Sequence, residues 1–291
     1  MKNYLISTFR FLLHVFPKRL LIILVEQLFV VLKISPLRYA YQRMGINEVN
    51  ADIGEKMFVH QLLWGMLGEK KRDVVLFDVG ANRGNFTALL HERFPDASIY
   101  SFEPLPEAYK LFSKRFAKNN YIVAENFGFS DGIGKLPIYT YEHDPKSEHA
   151  TLYLGVLEKA HQSHANCSTE IELNTIDNYC SKHNIDHIDF LKIDTEGHEL
   201  KILKGAKRLL TSGQINVIQF EFNEMNIFSK VFLKDYYELL PDYDFFRISS
   251  SGLIALGDYS TDFEIFKFQN LVAVKKKVNQ TGFEFEVRPG K

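Results

Sequence analysis

Cysteine is scarce in this chain. Only Cys167 and Cys180 occur among 291 residues, which excludes a disulfide framework, and no zinc-type spacing of Cys and His is present, so a reduced, cytoplasmic setting is the default expectation. Charge of one sign is lacking too: the net charge is −1, and nothing in the global balance points to nucleic acid. No apolar run reaches the length of a spanning helix. A hydrophobic content of 46% with 24% charged residues excludes an intrinsically disordered chain and allows a sizeable buried core. Repeats, low-complexity tracts and flexible linkers are absent from 73–275.

The N-terminal region departs from this evenness. Residues 1–25 hold Lys2, Arg10, Lys18 and Arg19 and no acid. Leu5, Phe9, Leu12, Leu13 and Phe16 recur at helical spacing opposite Asn3, Ser7, Arg10 and His14. After Pro17, Leu20 to Leu32 is apolar except for Glu26 and Gln27, too short to span a bilayer and charged at its middle. No small-residue cleavage site follows, which argues against a secretory signal. Two readings fit residues 1–33: helices that pack on a catalytic domain or a second subunit, and a membrane-surface anchor at the cytoplasmic face. We take 1–50 as a helical extension, 51–275 as the main domain and 276–291 as a tail. Residues 47–72 read as one connecting helix.

From Asp73 onward short apolar runs alternate with helical segments. Strands are expected at Val74–Phe77, Ser98–Phe102, Ile122–Asn126, Phe190–Ile193, Val217–Glu221, Phe245–Ile248 and Leu271–Lys275, with helices at 84–93, 106–118, 175–183, 199–211 and 232–240. The first five strands are bounded by helix-type segments, which calls for a parallel α/β sheet covered on both faces. The last two are joined by a loop, so at least one is expected to be antiparallel. Residues 132–172 break the rhythm. They open with an expected hairpin at Asp131-Gly132 and Ile138–Tyr141, then turn polar, with His143, His149, His161 and His164. Such an insertion is expected to form a lid or substrate wall; its histidines read as solvated, and a sugar-stacking role for Tyr139, Tyr141 or Tyr153 has no pattern behind it.

Three strand tips carry chemistry. The first is Val74-Val75-Leu76-Phe77-Asp78-Val79-Gly80-Ala81-Asn82-Arg83-Gly84, a buried strand running into a glycine turn and a helix opening. Gly80 permits the turn, Gly84 permits close approach, and the free amides near Asn82–Asn85 would hold a carboxylate. Asp78 disfavours a pyrophosphate and suits a ligand with a positive charge and an amine; S-adenosylmethionine has both. The second tip is Ile99-Tyr100-Ser101-Phe102-Glu103-Pro104, nineteen residues after Gly84, where an acid accepts ribose hydroxyls. Glu103 implies a nucleoside, and NAD binders use the same device. The G-x-x-x-G spacing, with Thr87 where a third glycine would fall, departs from the dinucleotide pattern and favours methyl transfer over an NAD-linked oxidoreductase. The third tip is Asp189-Phe190-Leu191-Lys192-Ile193-Asp194-Thr195-Glu196-Gly197-His198-Glu199. Asp194 and Glu196 are expected to face the reacting groups, while Glu199 reads as a helix-start charge.

Together FDVGANRGNFT, YSFEPLPEAY, NFGFSDGIG and FLKIDTEGHELKILKG, in that order across about 73–275, resemble the FkbM family of S-adenosylmethionine-dependent methyltransferases. The resemblance implies a Rossmann-like class I methyltransferase sheet of seven strands, the last inserted antiparallel, and O-methylation of a hydroxyl on a sugar or secondary metabolite. It carries cofactor contact to Asp78, Gly80, Asn82, Gly84 and Glu103, and to Ser130 and Asp131 beside the adenine. A general base is expected among Asp194, Glu196, His198 and Glu221, with Asp194 or Glu196 preferred. Helix caps and surface charges account for Asp194, Glu221 and Glu224 without a metal. A non-catalytic, membrane-associated module on the same scaffold is the remaining alternative, and intact Asp78, Glu103 and Asp194 argue against it. The acceptor and the oligomeric state have no signature in the sequence.

Overall fold

A computed structural model of the chain describes residues 18–47, 51–67, 73–141, 152 and 165–276. It divides into two units, 1–44 and 45–291. In the first, α1 (Lys18–Val31) and α2 (Pro36–Arg43) form a helical hairpin. Lys33 closes α1 in the left-handed region (φ 53°), with Ile34 N donating to Phe29 O and Lys33 N to Val30 O, a Schellman closure that satisfies the last carbonyls. Ser35 Oγ accepts from Arg38 N and Pro36 opens α2, so the second helix starts where its cap dictates. Phe29 and Tyr39 meet edge to face at 5.6 Å. The apolar run expected from Leu20 is helical as far as Val31; the amphipathic stretch 1–16 lies outside the described residues. No described helix is long and apolar enough to cross a membrane.

The second unit opens with α3 (Ala51–Met57), a π-helical segment at Phe58–Leu63 and α4 (Trp64–Leu67). Phe58, Val59, Leu63, Met66 and Leu67 are buried against one face of the sheet. The strands and helices that follow are β1 (Val75–Val79), α5 (Asn85–Arg93), β2 (Ser98–Phe102), α6 (Pro106–Phe116), β3 (Ile122–Glu125), β4 (Gly128–Phe129), β5 (Gly134–Tyr141), β6 (Ala165–Asn174), α7 (Ile176–His183), β7 (Ile188–Ile193), α8 (Glu199–Lys204), α9 (Lys207–Thr211), β8 (Ile215–Phe222), α10 (Met225–Ser229), α11 (Leu233–Leu239), β9 (Tyr243–Ser249), β10 (Gly252–Ala255) and β11 (Gln269–Lys275).

Eight strands lie in the order β10-β9-β11-β8-β7-β1-β2-β3. Pairs β3–β2, β2–β1, β1–β7 and β7–β8 are parallel, and β11 is antiparallel to both β8 and β9. This is the Rossmann-like class I methyltransferase arrangement, with its antiparallel strand in the expected place. Neighbouring residues of β1 serve opposite cores: Leu76 packs with Phe58, Leu90, Ile99 and Phe190, and Phe77 with Phe102, Tyr179 and Leu191. Chain order reverses between β1 and β7, so the crevice opens at their carboxyl ends.

Three expectations need correction. The sheet has eight strands, because Gly252–Ala255 folds back on β9 through a turn at Ser250-Ser251; Ser-Ser lacks the sequence signal of a two-residue hairpin. The helix at 199–211 is two helices. Gly205 interrupts it against the Ser130 carbonyl, and Asp177 accepts from Arg208 N and Leu209 N to open α9. Asp131-Gly132 is no hairpin turn, since β4 and β5 do not pair; β6 lies between them in a second sheet ordered β4-β6-β5. His143, His149, His161, His164 and Tyr153 fall outside the described residues.

Candidate active site

At the tip of β1, Asp78 is fully buried. Thr87 Oγ1 donates to its Oδ2 at 2.6 Å and lies 3.0 Å from Ser101 Oγ, so the acid joins β1, α5 and β2. Burial pushes its pKa up, against the pull of Lys192 and Thr87. Gly80 follows at φ 84°, and a Cβ there would collide with the Asp194 carbonyl. Gly80 N and Ala81 N both donate to Phe102 O, and Asp194 N donates to Val79 O, each at 3.0 Å. The three strand tips are therefore tied together by main chain. Gly84 (φ 77°) starts α5 with the rings of Phe112 and Phe116 where its Cβ would stand.

Glu103 caps β2. Its Oε2 accepts from Asn82 N and its Oε1 from Leu105 N, both at 2.8 Å. Asn126 Nδ2 donates to the Glu103 and Pro104 carbonyls, fixing the backbone beneath. Burial pushes the Glu103 pKa up to about 7, although the two amides pull it down.

The tip of β7 is an acid cluster built around a cation. Lys192 Nζ lies 2.8 Å from Asp194 Oδ2 and 4.5 Å from the centre of the Phe86 ring. Burial works against the ammonium, but Asp194, Glu55 and Asp78 outweigh it and hold the pKa above the ordinary lysine value. Glu55 arrives from α3 and accepts from Gln219 Nε2 at 2.6 Å; burial raises its pKa. Glu196 (φ 52°) and Gly197 (φ 97°) make the turn after β7. Glu199 Oε1 accepts from Thr195 N, Thr195 Oγ1 and Gly197 N. That is the helix-start role read from sequence, and burial pushes this carboxyl up to about 7. Glu221 on β8 is raised well above the usual range by burial, then by Asp194 and Glu196. His198 Nε2 lies 2.9 Å from Ser130 Oγ, which donates to Asp131 Oδ1. Burial, with Lys201 adding to it, pushes His198 down to about 4.

These tips surround a cavity of about 640 Å³, within the range of small-molecule sites. Gly80, Asn82, Glu103, Asp194 and Glu196 line it. Asp78, Gly84, Ser130, Asp131 and Glu221 are not among the lining residues; Ser130 reaches the lining through its contact with His198. The lining also includes Asp52, Glu55 and Lys56 of α3, with Phe86, Lys192 and His198. Sequence reasoning gave no role to Lys192, although a lysine inside an otherwise apolar strand was a signal. Glu55 had none, because it precedes every motif. Among the described residues no group of three or more His, Cys, Asp or Glu side chains is placed to hold a metal ion.

The methyltransferase FkbM domain matches residues 78–246. The chain belongs to that family. Three of its curated relatives are the methyltransferase sdnD of Sordaria araneosa, 28% identical over 45% of this chain, the 2-O-methyltransferase NoeI of Sinorhizobium fredii, 23% over 64%, and the hexuronic acid methyltransferase AglP of Haloferax volcanii, 24% over 53%. The aligned regions span 60%, 78% and 59% of those proteins. Among solved structures, the precorrin-6y C5,15-methyltransferase of Geobacter metallireducens aligns over 79% of this chain and 92% of its own, at 11% identity and a TM-score of 0.38. The FkbM match begins at Asp78 and ends at Phe246, so α3 with Asp52, Glu55 and Lys56 lies outside it.

Proposed function

We propose that this protein is an S-adenosylmethionine-dependent O-methyltransferase acting on a hydroxyl of a sugar or secondary metabolite. The observation that carries the reading is Glu103: a buried carboxylate at the second strand tip, held by two amides beside the Gly80–Asn82 turn and facing the cavity. Each oxygen keeps a lone pair for a ribose hydroxyl. The residues present also fit the amino-acid end of that ligand. Asn82 Oδ1 is buried without a hydrogen-bond partner, the acceptor an ammonium group needs, and Asp78 lies one layer behind. The names of NoeI and AglP support a hydroxylated carbohydrate as acceptor.

Bound there, S-adenosylmethionine supplies an electrophilic methyl group. The chain holds the acceptor beside it and excludes water. Asp194 and Glu196 divide the remaining work. Asp194 Oδ2 already holds Lys192 Nζ, so we assign it the orientation of the acceptor hydroxyl and give Glu196 the proton. His198, neutral and weakly basic, belongs to the wall.

Equilibrium binding of S-adenosylhomocysteine tests the donor site. Glu103→Ala should weaken it by ~1.5–3 kcal/mol, and undetectable binding by the unaltered protein, or thermal protection by NAD instead, would overturn the reading. Glu196→Gln should lower kcat about 100-fold or more while leaving S-adenosylhomocysteine affinity unchanged. Mass spectrometry of extracts given a labelled methyl donor would identify the acceptor.

A further inference from the structure

Among the described residues, the first unit presents a run of exposed apolar side chains. Along α1 and the turn after it, Leu20, Ile22, Ile23, Leu24, Leu28, Val30 and Val31 are 45–74% exposed, and Leu37 and Tyr39 on α2 are 61% and 48% exposed. Single exposed hydrophobics are ordinary, but a continuous helix of them marks an interaction surface.

Its charge says which kind. Residues 1–44 contain seven Lys or Arg and one acid, Glu26, a net charge of +6; the whole chain is −1, so residues 45–291 carry −7. Lys33, Arg38 and Arg43 are exposed on the hairpin that carries the apolar residues. A second copy of residues 1–44 would bring +6 against +6. An anionic lipid surface offers the complement to both properties at once, acyl chains for the leucines and headgroups for the lysines and arginines.

We propose that the α1–α2 hairpin is a monotopic membrane-binding element that docks on anionic bilayer surfaces. It lies in the interface and does not span. The 14 residues of α1 extend about 21 Å at ~1.5 Å per residue, short of the ~30 Å hydrocarbon core, and Glu26 sits at its middle. The exposed lysines and arginines reach outward to the headgroups while the leucine and valine side chains enter the acyl boundary. This inference does not depend on the methyltransferase reading, and each can fail alone.

Sedimentation of the full chain with phosphatidylcholine vesicles, with and without phosphatidylglycerol, tests it. The expected result is binding that requires phosphatidylglycerol and weakens as salt rises. Lys33→Glu combined with Arg38→Glu should lower the partition at least about tenfold. Leu24→Glu combined with Leu28→Glu should abolish it, with S-adenosylhomocysteine affinity and thermal midpoint unchanged, because all four side chains are exposed. Absence of sedimentation with either vesicle overturns the proposal. So does a dimer in sedimentation velocity that the leucine variant dissociates, which would make a second copy the occupant. A fall in thermal midpoint in the leucine variant overturns it as well, since the helix would then be packing on its own chain.

Discussion

Lys192 shows how much of this site is electrostatic construction. Its side chain is 8% exposed, and its ammonium offsets Asp194, Glu55 and Asp78. Removing one partner of a buried charged group strands the others. Lys192→Met should therefore lower the unfolding free energy by ~3–5 kcal/mol in denaturant titration, and adding Glu55→Gln should restore part of the loss. Equal stability of Lys192→Met and the unaltered protein would show that water already screens the cluster. Glu199 makes a second test, through pH. Its folded pKa of about 7 lies above the ordinary 4.5, so its stabilising contribution is full below the unfolded value and is lost as pH rises through 7. Glu199→Gln keeps an acceptor for the Thr195 and Gly197 amides and removes the titration. It should flatten the fall in thermal midpoint between pH 5 and 8 that the unaltered protein shows; parallel curves would refute the assignment. Glu103 titrates in the same window, and its ionised form is the better acceptor. Affinity for S-adenosylhomocysteine should rise from pH 6 to pH 8 and lose that dependence in Glu103→Gln.

At the scale of elements, the contact between Gly205 and Ser130 decides where α8 ends and where β4 leads. A Cβ at Gly205 would strike the Ser130 carbonyl, whose side chain pairs with His198 in the cavity wall. Gly205→Ala should cost about 1–3 kcal/mol of stability and weaken ligand binding as well, a pairing that thermal melts with and without S-adenosylhomocysteine would detect. This contact also explains what the sequence could and could not disclose. The tips of β1, β2 and β7 were legible because each is written within a dozen consecutive residues: apolar strand, acid, then a glycine turn or, after β2, a proline, and a helix. The break in the helix at Gly205 depends on Ser130 and Asp177, far away in sequence. The pairing of β4 with β6 places a strand from beyond the insertion between two segments that look like a hairpin. The same holds for Glu55, which reaches the cavity from α3 and is bonded to Gln219, 164 residues later. Local chemistry was readable, and long-range partnership was not.

For the whole molecule, α3, the π-helical segment and α4 carry a consequence for heredity and for engineering. The FkbM match starts at Asp78, yet Phe58, Val59, Leu63, Met66 and Leu67 seal one face of the sheet with exposures of 0–7%. Burying side chains of this size contributes ~1.5–3 kcal/mol each, a sum on the order of the entire stability of a domain. A polypeptide beginning at residue 73 should thus be soluble only with difficulty and show no cooperative melt by calorimetry. The FkbM match and the buried segment that packs on its sheet have different edges. Chimaeras joined at the first motif would exchange the strand tips while severing their floor, whereas junctions before Ala51 would move floor, acid cluster and strand tips as one piece.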